Sequence, residues 1–254
     1  MSADSHAEAV ARVHALVAGT ARTIVVDSPP GAGKSTLVRS VAVACAARGM
    51  QVPIVCQTRN QADDLAAAIA AELPGDAVVG RLHGTDWAPP PEGPPPGVRA
   101  STRLADLADC PILVGTAAKW AFVSGDREPW PLALIDEAYQ MSSTALVRVA
   151  DLFQRLLLVG APGQLAPFTI ADERALRSYT TWPLDTAAGT ILRNHPDTPV
   201  VALPVSWRLP PSAARVVADA FYTRPFVAGS APEDRALRLP LGRLRDPLDE
   251  VLHV

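Results

Sequence analysis

Short apolar runs alternate along the chain with longer stretches in which apolar residues recur every three or four positions. The runs at 23–27 (TIVVD), 52–58 (VPIVCQT), 111–117 (PILVGTA), 131–138 (PLALIDEA), 155–162 (RLLLVGAP) and 199–205 (PVVALPV) read as buried strands. Another begins within 77–84 (AVVGRLHG). Helical patterns fill 4–18 (closed by Gly19), the stretch after Lys34 up to Gly49, 61–72, 142–153 and 211–222, with a short one near 172–178. The strands are apolar throughout instead of alternating, as strands covered on both faces are. Strand–helix alternation of this kind predicts an α/β fold, a mostly parallel sheet between two helical layers.

Two stretches break the pattern. Residues 86–98 (DWAPPPEGPPPGV) are proline-rich, and no regular core element passes through them. They read as an exposed connector. From Val227 onward the chain reads as irregular, apart from an apolar piece at 251–254.

Composition narrows the class. Over 254 residues, 48% are hydrophobic and 19% charged, which excludes a disordered, charge-rich tail. A net charge of −3 gives no global basic field, although a local groove can still bind a polyanion. Of the 23 basic residues only Lys34 and Lys119 are lysines, which reads as a compositional bias of the source genome. Cys45, Cys56 and Cys110 are isolated, and the five histidines form no ligand pattern, so neither a cysteine–histidine metal site nor a disulfide framework is expected. No run is long enough to span a membrane, and the N-terminus has no signal-peptide core. A cytoplasmic protein without a membrane partner is the expectation.

The sharpest local signal is Ser28-Pro29-Pro30-Gly31-Ala32-Gly33-Lys34-Ser35-Thr36, placed after an apolar strand and before a helix. Glycines let the backbone curl so that its N–H groups face phosphates, and the helix adds its positive end. In such a loop Lys34 reaches the β- and γ-phosphates and Ser35 ligates Mg²⁺. A second signal is the acidic pair closing Leu134-Ile135-Asp136-Glu137-Ala138. Asp136 is suited to hold Mg²⁺ through water, and Glu137 to act as general base. The third is Gly160-Ala161-Pro162-Gly163-Gln164-Leu165, where Gln164 is suited to report the γ-phosphate.

In that order the three signals resemble superfamily 1 helicases, most closely their Upf1-like branch. The family's phosphate loop reads GPPGTGKT, its acidic motif DEAxQ and its next motif GDxxQLxP. Asp136-Glu137-Ala138-Tyr139-Gln140 fits the second in full, and residues 160–167 fit the third except for Ala161. Ser206-Trp207-Arg208-Leu209-Pro210, followed by Phe221-Tyr222, is similar to a further family patch.

The resemblance implies a RecA-like P-loop ATPase and assigns roles residue by residue. Gly31, Ala32, Gly33, Lys34, Ser35, Thr36 and Gln140 serve the nucleotide, and Ser35 and Asp136 the Mg²⁺. Glu137, Lys34, Gln164 and Arg208 serve hydrolysis of ATP. Thr58, Asn60 and Thr116 line the path of single-stranded DNA or RNA. It implies a first motor domain over 1–198, with the loop 86–98 where relatives insert a subdomain, and an incomplete start of a second domain over 199–254. The remainder of that second domain, or a protein partner, is therefore expected to complete the motor, and the chain by itself is not expected to unwind a duplex.

The departures bear on mechanism. No glutamine precedes the phosphate loop to read adenine, and Ala161 removes an acidic side chain beside the nucleotide. The alternative function is a P-loop NTPase switch or assembly factor regulated by a protein partner, which single strands would not stimulate.

Overall fold

The computed structural model describes residues 3–167 and 182–231. Its centre is a sheet of eight parallel strands in the order β4-β3-β5-β2-β6-β7-β1-β8. In chain order they are β1 (Thr23–Asp27), β2 (Val52–Cys56), β3 (Val79–Leu82), β4 (Val98–Ser101), β5 (Ile112–Thr116), β6 (Ala133–Asp136), β7 (Leu156–Gly160) and β8 (Val200–Ala202). The helices are α1 (Ala3–Ala18), α2 (Lys34–Ala46), α3 (Arg59–Ala70), α4 (Ala117–Trp120), α5 (Ser143–Ala150), α6 (Ala187–Asn194) and α7 (Pro211–Phe221).

Successive side chains of each strand enter opposite cores, as the pleat requires. Ile24, Val26, Leu157 and Val159 pack with α1, α2 and α3, whereas Val25, Leu156 and Leu158 pack with α5 and α6. Strands β2 and β7 are buried at every residue, which explains their unbroken apolar sequence. The expected three-layer α/β fold is therefore the observed one, a RecA-like P-loop sandwich.

Three details depart from the expectation. The interval around the proline-rich loop holds more than a connector. It returns into β4, which pairs with β3 in parallel, and then into a 3₁₀ turn at Leu104–Leu107. These four residues (VRAS) carry too weak an apolar signal to read as a strand, because β4 lies at the sheet edge and is only partly buried. The run at 199–205 is two strands, not one. Residues 200–202 form β8 beside β1, so the expected boundary before residue 199 falls within the main sheet. After Pro204 the chain leaves that sheet as β9 (Val205–Ser206), which pairs with β10 (Val227–Ala228) in a separate ribbon. A proline lacks the N–H that a continuing ladder needs. The helix expected near 172–178 and the apolar piece at 251–254 lie outside the described residues.

All eight main strands run the same way, so their C-terminal ends share one rim. That is where open α/β sheets place ligand sites. The rim has two halves: β6, β7 and β1 on one side, and β2, β5 and β3 on the other.

Candidate nucleotide site

β1 ends at Asp27 and the phosphate-loop segment begins at once. Ser28 is fully buried, and its N–H donates to the Gly160 carbonyl at the end of β7 (2.8 Å). Gly31 (φ 71°) and Gly33 (φ 86°) take left-handed conformations that turn the loop back over the start of α2. Gly33 is the N-cap of α2 and supplies no side-chain cap, so the first N–H groups of the helix are left for a ligand anion. Ala32 is buried, while Ser35 and Thr36 are exposed on the first turn.

The acidic pair comes from the neighbouring strand region. β6 ends at Asp136, and Glu137 takes φ 53°, a left-handed conformation found at no other non-glycine among the described residues. Such a backbone costs on the order of 1–3 kcal/mol and persists only where its surroundings enforce it. Here the Glu137 N–H donates to Asp136 Oδ1 (3.1 Å), and the Ala138 N–H to the Val159 carbonyl (2.9 Å). The sharp turn aims Glu137 at the phosphate loop, and Lys34 Nζ lies 3.4 Å from Glu137 Oε1. Glu137 Oε2 is buried with no hydrogen-bond partner. A buried carboxylate oxygen left open beside a lysine and a curled backbone suits a site that receives a phosphate group, a water or a cation. The residues present thus fit a nucleoside triphosphate and a divalent metal.

Asp136 is buried, and that burial pushes its carboxyl up to about 6. The adjacent Glu137 charge adds to the rise, while Lys34 and the Glu137 N–H oppose it. A carboxyl raised on folding binds its proton more tightly in the folded than in the unfolded chain. The metal-free protein therefore gains stability from Asp136 as pH falls through about 6 toward the ordinary carboxylate range, and loses it as pH rises. Asp136→Asn should raise the melting temperature of the metal-free protein at pH 8, with a gain that shrinks at pH 5. Thermal melts at both values test this, and an equal shift at both would refute the burial account.

The remaining predicted residues divide into two groups. Gln140 and Gln164 meet, with Gln140 Nε2 donating to Gln164 Oε1 (3.2 Å). Arg208 is exposed, yet its Cβ and backbone press on Gly31. A Cβ added to Gly31 would stand 2.1 Å from the Arg208 Cβ. The contact is fixed by Ser206 Oγ, which donates to the Pro30 carbonyl (2.6 Å), and by the Trp207 N–H, which donates to the Gly31 carbonyl (3.0 Å). Thr58, Asn60 and Thr116 stand apart, on the β2–β5 half of the rim. The Thr58 hydroxyl caps α3, with Gln61 completing a capping box, and the Thr116 hydroxyl caps α4; Asn60 is exposed.

Sequence reasoning missed four site residues, Gln57, Ser206, Tyr139 and Asp27. Gln57 Nε2 donates to the Asp136 carbonyl (3.0 Å), a link between the two halves of the rim. Ser206 anchors the 206–210 segment to the phosphate loop. Tyr139 donates its hydroxyl to Asp27 Oδ1 (2.6 Å) under that loop, and burial raises the Asp27 carboxyl above its usual range. Asp27 faces Gly160 in the β1–β7 register, next to the fully buried Ala161. A carboxylate is thus present near the position where the motif lacks one. The available signal was the single acidic residue closing the apolar run 23–27.

Fold and site together define a P-loop nucleotide-binding domain. A family model described as an AAA domain matches residues 6–180, and the chain belongs to that family. No curated protein matches it significantly. Among solved structures it is similar to the Arterivirus nonstructural protein 10 helicase (TM-score 0.54, 16% identity, 88% of this chain and 43% of that one). It is also similar to the PRRSV helicase (TM-score 0.51, 16% identity, 88% and 37%). At such identities the likeness is one of fold, and the chain spans less than half the length of either. No helix among the described residues is long and apolar enough to cross a membrane.

Proposed function

We propose that the chain is the ATP-hydrolysing part of a superfamily 1 nucleic-acid motor of the Upf1-like kind. The observation that carries this is the convergence of Lys34, Glu137 and Asp136 at the phosphate loop, with Gln164 and Arg208 reaching the same end of the sheet. Lys34 and the N–H groups around Gly33 bind the β- and γ-phosphates. Ser35 and Asp136 hold Mg²⁺, which when bound neutralises charge on the phosphates. Glu137 orients the attacking water and takes its proton. Gln164, tied to Gln140, senses the γ-phosphate and passes its state to the acidic motif. Arg208 offsets charge on the transferring group as the surrounding domains close.

Thr58, Asn60 and Thr116 line the track of a single strand on the other half of the rim, and Gln57 is the link through which strand and nucleotide influence each other. A second RecA-like domain, contributed by this polypeptide or by a partner, closes over the site from the side of residues 206–210. The three cysteines are buried and free, which suits work in the cytoplasm.

The test is steady-state ATP hydrolysis by the purified chain with and without single-stranded DNA and RNA. Turnover that rises with a strand is the expected result. Turnover that strands leave unchanged and a protein partner alters would replace the motor reading with that of a regulated switch.

A further inference from the structure

At the C-terminal ends of β2, β3 and β5 lies a cleft of about 260 Å³ that the nucleotide chemistry does not use. One wall follows β3. The rings of His83 and Trp87 lie 4.2 Å apart, tilted by 37°. Trp87 is held by its Nε1–H, which donates to Asp63 Oδ2 (3.1 Å), and Asp63 in turn pairs with the buried Arg81 at 2.6 Å. Arg59 on the same wall pairs with Asp86. The opposite wall is α4 and the turn after it, with Lys119 and Phe122. Phe122 is 78% exposed, an unusual position for a phenyl ring. Lys119 donates to the Thr102 carbonyl (2.8 Å) and, among the described residues, has no carboxylate at ion-pair distance. Beyond Lys119 and Phe122 lies a second cavity of about 620 Å³, lined by the same two residues and by Arg127.

We propose that this cleft seats a base of a bound single strand, with Phe122 and the His83–Trp87 pair as its stacking surfaces and Lys119 at the adjoining phosphate. The inference rests on the motor reading and specifies how the strand is held. Planar rings beside cations suit a polynucleotide, whose bases offer π-faces and whose backbone offers negative charge. Phe122 lines both cavities, and the Arg148 guanidinium lies 6.0 Å from its ring centroid, so the ring stands beside space for a base and beside a further cation. The clamp of Arg81, Asp63 and Trp87 fixes one wall rigidly, so little ordering cost remains on binding. Thr116 lines the same cleft and Arg59 sits between Thr58 and Asn60, so the cleft continues the path expected for the strand.

The experiment is fluorescence anisotropy with labelled oligothymidylate and oligouridylate, each with bases intact and with abasic sites. Phe122→Ala is the leading variant because its exposure leaves the fold intact, which a melt verifies. Trp87→Phe retains a ring where Trp87→Ala removes both a ring and a hydrogen bond. Phe122→Ala should bind the intact strand about tenfold more weakly, in keeping with the loss of one stacked base. Phe122→Trp should restore binding, and the abasic strand should bind wild type and Phe122→Ala alike. Equal binding of the intact strand by wild type and Phe122→Ala, or a deficit that persists on the abasic strand, would overturn the stacking cleft while leaving the motor reading in place. A wild-type chain that binds neither strand and whose ATP turnover neither strand changes would overturn the motor reading itself.

Discussion

Replacing Glu137 by Gln should lower the rate of ATP hydrolysis by about 10²–10⁴-fold, the usual contribution of a positioned general base, and leave nucleotide binding intact. Gln keeps the shape of Glu and can occupy the same left-handed turn, so the phosphate loop and Asp136 stay in place. It cannot accept the proton of the attacking water. Binding has a reason to hold or strengthen. In the structure Lys34 is paired with Glu137 at 3.4 Å, and an incoming phosphate must compete with that carboxylate for the lysine. The neutral amide removes the competitor. Lys34→Ala gives the contrast, since it should lose triphosphate affinity as well as turnover. Single-turnover hydrolysis beside equilibrium titration of a fluorescent nucleotide separates the two effects. Turnover preserved in Glu137→Gln, or binding lost in it, would remove Glu137 from the role of base.

The second large effect falls on stability. Gly31→Ala should cost about 2–5 kcal/mol, built from the left-handed backbone (~1–2 kcal/mol) and from overpacking against a neighbour that cannot yield (~1–3 kcal/mol). The new methyl would meet Arg208 Cβ at 2.1 Å and its backbone N at 2.9 Å, and residues 206–208 are tied to the loop by two hydrogen bonds. Gly33 provides the control. Its φ of 86° is equally left-handed, but the nearest atom to an added Cβ is Thr36 Cβ at 3.9 Å. Gly33→Ala should therefore pay only the backbone part. For a chain of this size the Gly31 variant should melt roughly 5–15 °C lower. The double variant Gly31→Ala, Arg208→Gly should recover part of that loss. Equal melting losses at the two glycines would show that the 206–210 segment does not bear on the phosphate loop.

The origin of that contact shows where a linear reading stops. Residues 206–210 were recognisable as a motif and Arg208 as its cation, but their seat on Pro30 and Gly31 depends on a break at Pro204. That break sends β9 out of the sheet and across the loop. A proline within an apolar run is visible in sequence, yet the direction taken after it is set by what the preceding strand pairs with, here β1. The edge strand β4 was unreadable for a related reason. Its four residues are stabilised by one neighbour, β3, and show little apolar patterning of their own.

The rim divides in the same way. Thr58 and Thr116 are strand-end hydroxyls in the sequence, and in the structure both cap helices. Their side by side placement follows from the β2–β5 pairing, across strands separated by more than fifty residues. The His83–Trp87 wall had no sequence signal at all, because it begins in a weak strand end and runs into a proline-rich loop.

The sequence by itself determined the layer architecture, the phosphate loop and the identity of the acidic pair. Unbroken apolar strands can be buried only between two helical layers, and a loop of glycines ahead of a helix has few other uses. Tertiary structure alone decided which side chains meet: Lys34 with Glu137, Gln140 with Gln164, Tyr139 with Asp27, Arg208 with Gly31. Each of those contacts joins different strand ends or loops, and strand order is fixed by the packing of the whole sheet, which no local pattern encodes.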